Sequence, residues 1–387
     1  MTDKFDQLIA RDKTSSLKHD GRKAYFGHDD VIPLWVADMD FAAPEAVTQA
    51  LVKRAEHPVY GYTLYPSSMY KAMQNWFKLH HDWQIDRNAI VMCPGVVPSL
   101  FACVQALTEA GDKVIVQPPV YPPFFSTVTK SDRELLLNPL QIVDGVYRMD
   151  LEHLEQCAKQ GAKLLLLCSP HNPVGRVWQR DELDALLDIA RRFDITIVSD
   201  EIHADLIFPQ QKHIPLASIA SDVSVISTVS ASKSFNIPGL GLSAMVINNV
   251  EQRRAINKVF ESWHISAANP FSIAGFEAAY LSGADWLEQL MGYLDETRKQ
   301  VTAFVEQQLP NIKVMPSQGT YLLWLDCREL ELDDEELRQF FIKQCKVGMN
   351  PGVTFGQVGR GYMRMNIAAP RQIILQACER IKHACQQ

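Results

Sequence analysis

VSASKSFNIPGLG, residues 229–241, sets one lysine, Lys233, among Ser230, Ser232 and Ser234 at the end of the β-rich run Val223–Val229. An amine placed there lies at a strand end, where open α/β sheets collect their ligands. Desolvation at such an edge favours the neutral, nucleophilic form of a lysine. Further β-rich runs surround it: Ala89–Cys93, Lys113–Gln117, Lys163–Cys168, Ile195–Ser199 and Ser243–Ile247. Helical patterns alternate with them, one from Ser99 with Leu100, Val104 and Leu107 on one face, another from Asp181 with Leu183, Leu186, Leu187 and Ala190. That alternation predicts an α/β fold with a mostly parallel sheet between helices.

The residues just after the other strands complete the picture. Lys113–Gln117 leads into PPVYPP with Tyr121, Lys163–Cys168 into SPHNPVG with Asn172, and Ile195–Ser199 into Asp200. An aromatic ring, an amide, a carboxylate and an amine converge on one edge, a set that suits a planar, charged cofactor. The turn Cys93–Ser99 (CPGVVPS) stands between a strand and a helix, so the Gly95 turn aims backbone N–H groups and the helix dipole at one point and an anion is favoured there. Each residue alone also has an ordinary structural reading: Asp200 as a helix cap, Asn172 as a turn residue before Pro173, Tyr121 as core, Arg364 as half of an ion pair. Taken together and in this order, at the strand ends, the functional reading stands.

A long helical stripe follows Ser282 (Leu287, Leu290, Met291, Leu294, Val301, Phe304, Val305) and stops before Pro310. Lys313–Met315, Thr320–Asp326 and Tyr362–Ile367 then predict a smaller α+β unit. The expected division is a large domain at 46–284, with 1–45 and 285–387 forming an N-terminal arm and a small domain. The arm, rich in turn residues, is expected to pack on a neighbour.

The 387 residues hold 38 basic and 45 acidic side chains, a net charge of −7 without a long run of one sign. Nucleic acid and anionic membranes need a clustered basic face, so neither is an expected partner. The longest aliphatic run, Leu164–Cys168, is far short of the about 20 residues a bilayer requires. The first twenty residues alternate charged and apolar positions, so no secretion signal is expected. Eight cysteines include no C-x-x-C pair, which predicts reduced thiols, a cytoplasmic location and no metal site. G-x-x-x-x-G-K-[ST], a strand-following G-x-G-x-x-G, H-E-x-x-H and G-x-S-x-G are all absent, which weakens P-loop, dehydrogenase, zincin and serine-hydrolase readings.

On these motifs the chain, from about Trp35 to Ala369, resembles the fold-type-I pyridoxal-phosphate enzymes of the aminotransferase class I/II superfamily. The resemblance implies that Lys233 bonds the cofactor and that Asp200, in VSDEIHADL, pairs with the pyridine nitrogen. Asn172 would bond the ring's phenolic oxygen, and Tyr121 would stack on the ring. Gly95, Val96, Val97, Ser230 and Ser232 would bind phosphate. Arg364, in GYMRMNIAAP, would clamp the substrate carboxylate, with the Ala37 backbone N–H in support. Tyr62, in VYGYTLYP, would cross the interface of a homodimer to the neighbour's cofactor and, like Tyr121, could assist proton transfer. Two positions depart from the aminotransferase pattern: Gly241 stands where an arginine usually binds phosphate, and His203 where a tyrosine is common. His203 could serve the ring oxygen or the structure. With WVADMDF (35–41) and YGYT (60–63), these departures resemble the carbon–sulfur lyase branch, of the cystathionine β-lyase type related to the maltose-regulon modulator protein. The implied reaction is α,β-elimination of a thiol from an S-substituted cysteine; the alternatives are an aminotransferase, or a regulatory protein that acts by contact.

Overall fold

The structure, a computed structural model, describes residues 4–265 and 269–386. Its larger sheet has seven strands: β1 (Ile90–Cys93), β2 (Lys113–Val116), β3 (Glu134–Leu137), β4 (Ala162–Cys168), β5 (Thr196–Asp200), β6 (Val225–Val229) and β7 (Ser243–Ile247), in the spatial order β1-β7-β6-β5-β4-β2-β3. All run parallel except β7, which is antiparallel to β1 and β6. Leu164–Cys168 of β4 and all of β6 are buried, because a parallel strand covered by helices on both faces must be apolar throughout. Helix α1 (Val96–Leu107) enters from Gly95, and α2 (Arg180–Phe193) buries Leu183, Leu186, Leu187 and Ala190. A capping box between Gln179 and Glu182 starts α2 by satisfying backbone donors that the helix itself cannot.

Beyond Gly283, helix α3 (Ala284–Gln308) leads to a four-stranded antiparallel sheet and then to α4 (Arg371–Cys385). Its strands are β8 (Lys313–Val314), β9 (Leu322–Asp326), β10 (Asn350–Pro351) and β11 (Tyr362–Asn366), ordered β8-β9-β11-β10. Two further two-stranded pairs join Ile32–Pro33 to Val347–Gly348 and Gln141–Val143 to Val146–Arg148.

Several expectations shift by a few residues. The helix expected from Ser99 begins at Val96, so Val96 and Val97 form its first turn. The strand expected from Thr320 begins at Leu322, because Thr320 has φ +67° and breaks the extended run. Strand β5 extends one residue further than expected and takes in Asp200. The arm packs in part on its own chain. Phe5 lies edge-on to Phe41 and Trp286, with ring centroids 5.1 and 5.6 Å apart, and Tyr25 stacks on Trp35 at 4.2 Å. The arm does have apolar side chains to bury: its own protomer takes in Phe5 and Phe26, while Leu8, Ile9 and Leu17 stay exposed.

Candidate active site

The carboxyl ends of the parallel strands open onto a cavity of about 480 Å³. Asp200 closes β5; Asn172 follows β4; Tyr121 follows β2; Lys233 sits in the single helical turn Ala231–Ser234 that follows β6. All four line the cavity, together with His203, Arg364, Ala37, Gly95, Val96, Val97, Ser230 and Ser232. Tyr62 does not: it lies fully exposed on an irregular segment outside the cavity.

Local chemistry fixes several of these groups. The hydroxyl of Ser230 donates to the Leu242 carbonyl (2.7 Å) and accepts from the Ser232 N–H (3.1 Å). Ser230 thereby caps the turn that carries Lys233, and its proton is already committed. Gly241 sits in the left-handed region at φ +60°, and an added Cβ would meet the Pro94 carbonyl oxygen at 3.4 Å. A side chain at 241 would be strained, so an arginine is disfavoured there on backbone grounds alone.

The electrostatics follow from burial. Desolvation pushes the Asp200 carboxyl up to about 7, against the N–H of Ile202 that donates to it (3.1 Å) and the nearby Lys233. The Lys233 amine is lowered to about 8 by burial, with Asp38 and Asp200 opposing and Arg364 assisting. Burial also lowers His203 to about 3, helped by Lys233 and Arg364, so its imidazole is neutral at pH 7, and its Nδ1 has no hydrogen-bond partner among the described residues. Arg364 falls to about 10 through burial yet stays cationic. Its Nη1 donates to Asn172 Oδ1 (3.1 Å), and its Nη2 to the Trp35 carbonyl and Asn350 Oδ1 (both 2.8 Å), while Nε is without a partner among the described residues.

Opposite the sheet edge, the strap Trp35–Met39 forms a wall that sequence reasoning touched only at Ala37. Its carbonyls are met by side chains. Arg364 serves Trp35, Asn366 serves Val36 (2.6 Å) and Asp38 (2.8 Å), and Asn236 serves Met39 (3.0 Å). The Ala37 carbonyl accepts from both Lys233 Nζ (2.6 Å) and the Tyr321 hydroxyl (2.9 Å). Behind the strap, Asp38 and Asp40 pair with Arg11 (2.7 and 2.6 Å), and the fully buried Lys18 lies 2.9 Å from Asp40. Of these anchors, Asn366 left a trace in the sequence, as a second polar side chain two residues after Arg364 in the run Tyr362–Ile367; Tyr321 and Lys18 left none.

A buried carboxyl without a cation in contact, a depressed amine, an aromatic wall and a helix N-terminus make a coherent receptor. They fit a planar ring with a basic nitrogen, an aldehyde and an anionic tail, and the partnerless Arg364 Nε suits a second anion such as a carboxylate. The model of the family described as Aminotransferase class I and II matches residues 29–381. The chain belongs to that family. Within it, the chain is 40% identical over 383 residues, covering 98% of this chain and 99% of the other, to a protein of Bacillus subtilis (strain 168) named cystathionine beta-lyase PatB. It is 33% identical to protein MalY of Escherichia coli (strain K12), covering 95% of each. The crystal structure of cystalysin from Treponema denticola, which contains pyridoxal 5'-phosphate, superposes with a TM-score of 0.96 at 35% identity, covering all of this chain and 99% of that one. The fold is therefore that of the fold-type-I pyridoxal-phosphate enzymes.

Proposed function

We infer that this protein is a pyridoxal-phosphate-dependent carbon–sulfur β-lyase, which converts L-cystathionine or a related S-substituted cysteine and water to a thiol, pyruvate and ammonia. The observation that carries the reading is the joining of Lys233, Asp200 and Arg364 in one cavity, in a chain whose relatives include cystathionine β-lyases. Bound here, pyridoxal phosphate supplies an electron sink for the pair left behind when a bond at the substrate's Cα breaks.

The chain's own residues do the rest. Asp200, costly to ionise alone, would be stabilised as a carboxylate facing the cofactor's ring nitrogen and would favour that nitrogen's protonated form. Asn172 has its Oδ1 occupied by Arg364, which leaves its N–H groups for the phenolic oxygen. Tyr121 supplies a flat face, and His203 a neutral imidazole. Gly95, Val96 and Val97 present the first turn of α1 to the phosphate, and Ser232 adds a hydroxyl. Arg364 holds the substrate carboxylate through a charge-assisted pair. Lys233 would hold the cofactor's aldehyde end when resting, and its free amine would take the substrate's Cα proton as a base. Tyr121, or Tyr62 from a partner, would assist proton transfer.

Tyr62, with no place in its own protomer's cavity, reaches the cavity of a partner in a homodimer. The chain divides into a large domain at 46–284 and a small one from 1–45 and 285–387. The two sheets fall on either side of that division. All eight cysteines are unpaired and seven are buried, which suits a reducing cytoplasm.

The test is a product assay. Purified protein loaded with pyridoxal phosphate and given L-cystathionine should release pyruvate, ammonia and free thiol in equal amounts without any keto acid. Pyruvate or a new amino acid appearing only after a keto-acid acceptor is added would make it an aminotransferase instead.

A further inference from the structure

The two central strands of the small sheet deliver three side chains to the strap in order. Arg364 and Asn366 of β11, and Tyr321 just before β9, reach the carbonyls of Trp35, Val36 and Ala37. The strands are locked in register, Leu322 opposite Asn366 and Trp324 opposite Arg364, and the Ile367 N–H donates to the Tyr321 carbonyl (2.9 Å). Tyr321 is fully buried, and its hydroxyl donates to the Ala37 carbonyl, the same oxygen that accepts from Lys233 Nζ. We propose that Tyr321 is a positioning residue for Lys233: its hydroxyl holds the Ala37 carbonyl where the free lysine amine docks.

The proposal rests on the reading of Lys233 as the group that moves the Cα proton. A neutral amine has two N–H bonds and one lone pair. With one N–H given to a carbonyl fixed in space, rotation of the amine is restricted and its lone pair is aimed. When the Cα–H bond breaks, an N–H bond forms on that lone pair, the electron pair stays on the substrate side, and the ammonium formed keeps the same carbonyl as acceptor. Tyr321 also shares that oxygen, so the carbonyl binds the ammonium less tightly than it would alone. The charged and titratable groups around Lys233 are Asp38, Asp200, Arg364 and His203; Asp38, Arg364 and Tyr121 also act electrostatically on Tyr321, whose ring meets His203 edge-on at 6.0 Å. The hydrogen-bonded route from the Tyr321 hydroxyl to Lys233 runs through the Ala37 carbonyl.

Tyr321→Phe keeps the ring and removes only the donor. As holoenzyme it should show kcat reduced between about 10- and 100-fold with KM within about twofold, since misplacing a reacting group by an ångström costs about that much. In the cofactor-free protein, the pH midpoint for attachment of pyridoxal phosphate to Lys233, trapped by borohydride, should move upward, because Ala37 then serves the ammonium undivided. 3-Fluorotyrosine at 321, a stronger donor, should restore kcat and move the midpoint downward. Wild-type kcat and midpoint in Tyr321→Phe, or a change in KM alone, would overturn the proposal. Should Tyr321→Phe fail to fold, an unmoved midpoint in the fluorotyrosine protein overturns it. A wild-type protein that never links the cofactor to Lys233 would instead overturn the function on which the proposal rests.

Discussion

At the carboxyl edge of the seven-stranded sheet, Asp200 stands where a hydrogen-bonded backbone ladder ends, and the ladder fixes it; Asn172 follows four residues after β4, its N–H on the Cys168 sulfur. Across the cavity, the strap Trp35–Met39 belongs to no sheet, and five successive carbonyls are held by side chains from positions as distant as Lys233, Asn236, Tyr321, Arg364 and Asn366. The sheet edge thus provides reactive groups on a rigid frame. The strap provides acceptors whose positions depend on individual donors, two of which, Lys233 and Arg364, are reactive themselves. One wall is built by periodicity, the other by particular contacts, so the two should break differently.

The largest effect belongs to the sheet edge. Lys233→Ala should lose the yellow absorbance of the bound cofactor and reduce turnover by on the order of 10³-fold, the range for loss of a catalytic base, with little change in melting temperature. Retained absorbance and turnover would show that the reactive amine lies elsewhere. A smaller loss, of a different kind, is expected in the strap. Asn366→Ala leaves the Val36 carbonyl and the Ala368 N–H without their partner and the Asp38 carbonyl to Lys18 alone, so at about 1–3 kcal/mol for each of the two groups left unpaired, urea unfolding should show the protein weakened by about 2–6 kcal/mol. Unfolding at the wild-type midpoint would mean that the strap holds itself.

The smallest effect is a pH dependence. In the cofactor-free protein, Asp200 titrates near 7, well above its unfolded value, so its protonated form stabilises the fold at low pH and that contribution is lost as pH rises through 7. Asp200→Asn should abolish this and reduce the difference in unfolding free energy between pH 5 and pH 8 by about 3 kcal/mol, at about 1.36 kcal/mol per unit over the two units from pH 5 to 7. An unchanged difference would place Asp200 in a better-solvated setting than the sheet edge implies.

The same contrast decides what could be read beforehand. Strand periodicity located β4, β5 and β6, and with them Asn172, Asp200 and Lys233, because a residue at the end of an apolar run has a position as soon as the run has one. Arg364 was legible through the motif around it. Tyr321 was not: it lies in a run expected to be buried strand, and nothing in a side-chain period tells where a hydroxyl will find its acceptor. Lys18 and Arg11 lie on the arm, whose packing on its own protomer the turn-rich composition did not suggest. Gly241 was visible as a missing arginine, whereas its left-handed backbone needed coordinates.

Seven sulfhydryls are enclosed and Cys385 alone meets solvent. An alkylating reagent would therefore tag one site on the intact molecule and the others only as their surroundings open. Those seven are spread from the large sheet through the last helix, so the order in which they react would time-stamp the loosening of each part without any engineered probe.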